Sequence, residues 1–452
     1  MKAIFLASLF VFFAIVPGYC QRPDSSLRQV REQDVFARNP SGELQTLSAA
    51  EHLSRAETYS SNRLFPEARE HWSKVITNYP EDAGVPKALF GIARSFMWDR
   101  QYDKAVDWFD RLIKDHIGTK EGREGLAYKG ASYVRLGANV EAAKTYEQYV
   151  TMFPNGEKID SAHLNIIDAL REAGKYEDAE IWVDKTVETF KETPTEVNAL
   201  HGRIRMEMYR ENWKRAIETA DTLLAMNSFK ASMSSADEIK YLKAMATERS
   251  GNKAAARQQF DAIPSASYFG WLASIRLAGG VDKVKPQAAS VRDFPVPFRE
   301  TLLREAGKRK IDPRFLLAIM KQESVFKPTA KSPAGARGLL QLVYDTAIKY
   351  KDAAGYPDLQ PDDLYNPNIN IAIGSEYVAA LLAEFGGLNE AIAASYNAGE
   401  DNAARWLART KPRDPGIFTA EVGFAETKNY VQKVMNNYRL YRSLYTETLN
   451  RK

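Results

Sequence analysis

Five alanines recur at one interval along the first half of the chain. Ala68, Ala105, Ala142, Ala179 and Ala216 each follow the last by 37 residues, and Ala256 follows after 40. Three positions before them stand Phe65, Tyr102, Asn139, Tyr176, Trp213 and Lys253. Four positions after them stand Trp72, Phe109, Tyr146, Val183, Ala220 and Phe260, and Tyr79, His116, Phe153 and Phe190 keep the same period. Residues four apart share a helix face. An alanine there lets a second helix approach, and a bulky residue one turn later fills the space beside it. A unit of this length holds two helices. One pair cannot bury its own apolar face, so neighbouring pairs must stack.

The phased units resemble the tetratricopeptide repeat, whose usual period is about 34 residues. The resemblance implies a curved helical solenoid over residues 48–264. Two roles stay open for it: a surface for a protein partner, or a platform that orients a second domain. Ahead of the repeats, residues 21–47 are polar without periodicity and read as a linker. Behind them, residues 265–297 read as a linker element, with an aromatic helix candidate at 266–278 and a Gly/Pro-rich stretch at 279–297. Residues 298–452 show helical patterning and no sustained alternation, so the expected class is all-α throughout.

The N-terminus has Lys2 followed by an apolar run from Ala3 to Val16, the length of a signal-peptide core and short for a membrane span. Residues 1–20 therefore read as a signal peptide, cleaved after Gly18 or Cys20. Cys20 is the single cysteine, and Tyr19 before it does not suit lipoprotein processing, so lipid anchoring is the less favoured outcome. No other run approaches the length of a membrane span. The net charge of +4 arises after residue 296, where 22 Lys+Arg face 18 Asp+Glu. That excess suits an acidic polymer and is too weak to imply nucleic acid. All five histidines (His52, His71, His116, His163, His201) precede residue 298. The last 155 residues thus lack the parts of a Ser-His-Asp or Cys-His triad, and no metal ligand set or cofactor motif appears.

Chemistry concentrates in residues 311–347. Asp312 is a helix cap with Pro313 at the first helical position. Leu316, Ile319 and Met320 recur at helical spacing, and Glu323 shares their face. Pro328 is expected to end this helix. A carboxyl group on an apolar stripe is desolvated, which raises its pKa and suits it to donate a proton. A solvated last-turn glutamate is the plain alternative. A turn-rich connector follows at residues 332–339, with Gly335 and Gly338, then Gln341 and a further helical stretch from Thr346 and Ala347.

Glu323-Ser324, then Gly335, Ala336, Gly338, Leu339, Gln341, Thr346 and Ala347 resemble the transglycosylase domain of the soluble lytic murein transglycosylases, which has a goose-lysozyme-like fold. Leu340, Val343 and Tyr344 depart from that pattern. Three later segments resemble the family as well. The first runs from Leu364-Tyr365-Asn366-Pro367 through Asn370, Gly374 and Tyr377. The second is Ser395-Tyr396-Asn397-Ala398-Gly399. The third is Val422-Gly423-Phe424-Ala425-Glu426-Thr427-Lys428 with Tyr430-Val431, where Val-Gly replaces Ile-Pro and Lys428 replaces Arg. The resemblance implies a periplasmic enzyme without cofactors that cleaves peptidoglycan glycan strands between N-acetylmuramic acid and N-acetylglucosamine, leaving a 1,6-anhydro sugar. It implies Glu323 as the catalytic acid and base, Ser332, Gln341 and Tyr396 as orienting groups, and Glu426 as electrostatic support. A lysozyme-like hydrolase on the same fold and an inactive glycan-binding scaffold are the rival readings. Ser324-x-x-Lys327 and Ser395-x-Asn397 imitate motifs of penicillin-binding proteins. However, Ser324 falls at a helix end rather than a helix start, and no Lys-Thr-Gly element is present.

Overall fold

The six repeat motifs each open a helix. Phe65–Asn78, Tyr102–His116, Asn139–Met152, Tyr176–Thr189, Trp213–Leu224 and Lys253–Asp261 all begin at the residue three before the repeat alanine. The six alanines are buried, and so are the six residues one turn on. The structure, a computed structural model, describes residues 25–226, 229–284 and 289–452. The expected signal peptide and Cys20 lie outside the described residues. Among those residues the architecture is helical, without strands beyond isolated bridges. No described helix is long and apolar enough to cross a membrane.

The chain divides into two compact units. The described parts of one are residues 25–162 and 327–373; those of the other are 163–226, 229–284, 289–326 and 374–452. Compactness therefore divides the chain differently from the boundaries expected at 264 and 297.

In the first unit the repeats pack ring against small residue. A Cβ on Gly91 would fall 2.5 Å from the Trp72 ring, and one on Gly130 would fall 2.6 Å from Tyr146. The stretch expected as a linker is structured here: Ser25–Phe36 is a helix, and Arg38 bridges to Leu44. Its hold is polar, which is why apolar periodicity does not reveal it. Buried Asp34 accepts from Arg55 at 2.5 Å and from Tyr59 at 2.6 Å, with His71 Nε2 at 3.0 Å. Burial opposes the Asp34 charge, but the bonds from His71, Tyr59 and Arg55 outweigh it and hold the carboxyl down at about 2.

In the second unit, repeat helices and the helices that follow residue 297 share buried charge. Glu421 receives Arg171 at 3.0 Å, Arg205 at 3.3 Å and Arg409 Nε at 3.1 Å. Glu172 receives Arg405 at 2.5 Å and also Arg409. Ion pairs removed from water hold only while every member is matched. Here they bind Ile159–Glu172 and Pro194–Tyr209 to Glu400–Ala408 and Pro415–Glu421. The helix expected near 266–278 forms at Tyr268–Ala278. Its Tyr268 hydroxyl lies between Glu390 at 3.2 Å and Thr419 at 3.0 Å.

Candidate active site

Pro313–Ser324 is the helix that carries the candidate acid. Asp312 caps it, accepting from the Arg314 backbone N–H at 2.9 Å. Asp312 is itself fixed by the Arg314 guanidinium at 2.6 Å and by the Tyr438 hydroxyl at 2.8 Å. Leu316, Ile319 and Met320 are fully buried, as the spacing predicts. The helix ends at Ser324, four residues before the expected stop at Pro328. Val325 and Phe326 both turn left-handed, at φ +49° and +64°, and this ends the helix. A β-branched residue there stores strain. Proline fixes its own backbone but leaves earlier residues free to leave the helix sooner. Ser324 donates its hydroxyl to the Met320 carbonyl at 3.2 Å, at the end of a helix, where the acyl-transfer reading needs a helix start.

Glu323 is partly accessible, and its carboxyl faces the helix Ala425–Leu444. The Tyr430 hydroxyl donates to Glu323 Oε1 at 2.5 Å. Burial pushes the Glu323 carboxyl up, Tyr430 pulls it down, and the Glu426 charge adds to the rise; the result is about 8. At neutral pH the carboxyl therefore keeps its proton. Glu426, in the first turn of Ala425–Leu444, is itself raised by burial. The Tyr396 ring lies 5.2 Å from that of Tyr377, tilted by 35°, and burial together with the Glu323 charge raises its phenol. The segment carrying Tyr396 is tied to the Glu426 segment, because Thr427 donates to Asn397 Oδ1 at 2.6 Å. Thr427 and Lys428 are buried, so this helix start is not the solvated run that its polar sequence suggests. One unit thus gathers Glu323, Tyr396 and Glu426. It adds Tyr430, to which the sequence gave no role, although it lies one turn beyond Glu426 on the same helix face.

Ser332 and Gln341 belong to the other unit, in the connector. Ser332 Oγ accepts from the Ala336 N–H at 3.1 Å, and Ser332 is buried. Gln341 sits at φ +45°, also buried, and its Nε2 donates to the carbonyls of Ala330 at 3.0 Å and Gly338 at 2.9 Å. Both side chains thus brace the connector itself. Asn370 completes the bracing: its Oδ1 accepts from Leu340 N–H at 2.8 Å, and its Nδ2 donates to Arg337 and Leu364 carbonyls. Gly338 has φ +78°, and a Cβ there would fall 2.2 Å from the Leu364 carbonyl oxygen, so the site tolerates only glycine. Arg337, which no sequence signal marked, is fully buried and donates to Asn62 Oδ1 at 2.6 Å. Asp345 is held by Arg63 at 2.7 Å.

The family model of the transglycosylase SLT domain matches residues 300–417. Over these residues the chain resembles an SLT transglycosylase domain. Tetratricopeptide-repeat models match residues 90–157, 129–195 and 203–268. Glu323, Ser332, Gln341 and Tyr396 lie inside the matched SLT segment, whereas Glu426, Lys428 and Tyr430 lie beyond it. The chain is similar to the soluble lytic murein transglycosylases of Salmonella typhimurium, at 33% identity over 151 residues, and of Escherichia coli K12, at 33% over 153. Each alignment covers 33% of this chain and 23% of the relative. A putative soluble lytic murein transglycosylase of Haemophilus influenzae is 36% identical over 143 residues, 31% of this chain and 24% of that relative. The chain therefore spans about a quarter of the length of these curated relatives. Among solved structures, an inactive mutant of the lytic transglycosylase Slt from Pseudomonas aeruginosa aligns with TM-score 0.51 and 17% identity. That alignment covers 91% of this chain and 83% of the other. A 70-kDa soluble lytic transglycosylase in complex with bulgecin A gives TM-score 0.51 and 17% identity over 94% and 92%. At that identity the likeness is one of fold. Among the described residues no group of three or more His, Cys, Asp or Glu is placed to hold a metal ion.

Proposed function

We propose that the chain is a lytic transglycosylase acting on peptidoglycan glycan strands, with Glu323 as acid and then base. The observation that carries this reading is the Glu323 carboxyl raised to about 8 beside Tyr430. Glu323 gives its proton to the glycosidic oxygen as the bond from the muramoyl anomeric carbon breaks, releasing the N-acetylglucosamine end. The resulting carboxylate takes the proton of the muramoyl 6-hydroxyl while that oxygen bonds to the anomeric carbon. The 1,6-anhydro ring closes, no water enters, and Glu323 ends with its proton restored.

Ordinary glycosidases flank the bond with two carboxylates. Here Glu426 lies near enough to raise Glu323 by repulsion, which suits electrostatic support rather than a second acid. Tyr396 lines the same group. The repeats act as a platform, a role supported by the buried charges they share with the helices after residue 399. Residues 1–20, read as a signal peptide, direct the protein to the periplasm. Digestion of purified sacculi followed by mass spectrometry tests the reaction. Anhydromuropeptides support it. Products heavier by one water indicate a lysozyme-like hydrolase, and no release indicates an inactive scaffold.

A further inference from the structure

Lys428 is 3% exposed, yet it carries an ammonium group. Its Nζ lies 2.8 Å from Glu238 Oε1 and donates to the Ala420 carbonyl at 3.2 Å. Glu238 sits in the first turn of Ala236–Arg249, a helix of the repeat region, and is 1% exposed. His201, on the neighbouring repeat helix Pro194–Tyr209, places Nε2 2.9 Å from the same Glu238 oxygen. Burial opposes the Glu238 charge, and Lys428 and His201 together hold the carboxyl down at about 2. Burial also lowers Lys428, offset mainly by Glu238; Arg205 and Glu421 are the other charges that act on it.

Successive helix residues turn by about 100°. Glu426 and Tyr430 therefore share one face of Ala425–Leu444, and Lys428 points to the opposite face. The front of this turn meets Glu323, and its back is pinned to the repeat region. Taking the proposed reaction as its basis, we infer that Glu238 is a positioning residue for the catalytic acid: through Lys428 it fixes the turn that sets Tyr430 and Glu426 beside Glu323. Thr427 to Asn397 and Lys428 to the Ala420 carbonyl are further side-chain ties on that turn, but neither reaches the repeat region. This gives the repeats a direct role in catalysis beyond any partner they bind.

The test compares wild type, Glu238→Gln, Glu238→Asp and the double variant Glu238→Gln/Lys428→Met on soluble uncrosslinked glycan strands. The double variant leaves no unmatched buried charge, so it decides the outcome if the single variant folds poorly. Displacing a reacting group by about 1 Å can cost about a hundredfold in rate. The expected result is a kcat at least tenfold lower in Glu238→Gln and in the double variant, with KM within about twofold of wild type. Glu238→Asp, which keeps the charge, recovers part of the loss. A readout independent of turnover is the ¹³C carboxyl titration of Glu323, assigned by its loss in Glu323→Gln. Tyr430, Glu426 and Tyr396 face that group. Removing the pin weakens the Tyr430 bond, so the Glu323 titration moves upward in both variants lacking the Glu238 carboxylate. A well-folded double variant with wild-type kcat and an unmoved titration overturns the inference. If wild type itself yields no anhydro products, the proposed reaction fails, and the titration still decides whether Glu238 acts on Glu323.

Discussion

The Tyr430 hydroxyl reaches Glu323 Oε1 at 2.5 Å from the same helix that carries Glu426 one turn earlier. One turn thus supplies both a hydrogen bond that favours the Glu323 carboxylate and a charge that disfavours it. The acid is trimmed between the two, while burial sets the overall direction.

Tyr430→Phe removes the bond that lowers the Glu323 pKa and leaves the burial and the Glu426 charge in place. The carboxyl then titrates above about 8, and the alkaline limb of kcat moves to higher pH. The pH–rate profile on soluble glycan strands checks this. An unmoved limb, or one that moves down, would show that the bond does not tune the acid.

The same shift has a consequence for stability. Glu323 binds its proton more tightly folded, at about 8, than unfolded, near 4.5. Its favourable contribution is present below the unfolded value and is lost as pH rises through the folded one. Each pKa unit corresponds to about 1.4 kcal/mol. With solvent reaching part of the carboxyl, the loss comes to about 2–3 kcal/mol between pH 5 and pH 9. Glu323→Gln lacks this titration, so it gains on wild type across that range. Chemical denaturation of both proteins at the two pH values measures the difference, and parallel behaviour at both would contradict the raised carboxyl.

What the sequence revealed followed from strong local patterns. The repeat alanines fixed six helix starts, because a 37-residue phase leaves few alternatives. Asp312 and Pro313 fixed the start of the acid helix by capping chemistry. Polar contacts between segments far apart in sequence stayed hidden. The helix Ser25–Phe36 is held through Asp34 rather than through an apolar stripe. Lys428 looks solvated until Glu238, 190 residues earlier, is placed beside it. Tyr430 was visible as part of a motif, but its bond to Glu323 depends on how two helices pack. Gly399, with φ +87° and ψ 156°, ends one helix where the next starts at once with Glu400.

The repeat register has its own test. Ala142 has no exposed surface in its helix contact, and the next bulky residue, Tyr146, lies against Gly130. Ala142→Leu overpacks that contact and costs about 1–3 kcal/mol. Thermal melting is expected to show a lower Tm, and an unchanged Tm would contradict the register.

The central claim is that one residue carries the proton both ways. Glu323→Gln keeps the side chain's size but has no acidic proton to give to the leaving oxygen. General acid–base assistance is worth about 10²–10⁴ in rate, and one group serves both steps here. The most direct measurement is the rate of anhydromuropeptide release from sacculi by wild type and by Glu323→Gln, with products resolved by mass. The account predicts a loss of at least a hundredfold with glycan binding retained; release at a near wild-type rate would contradict it.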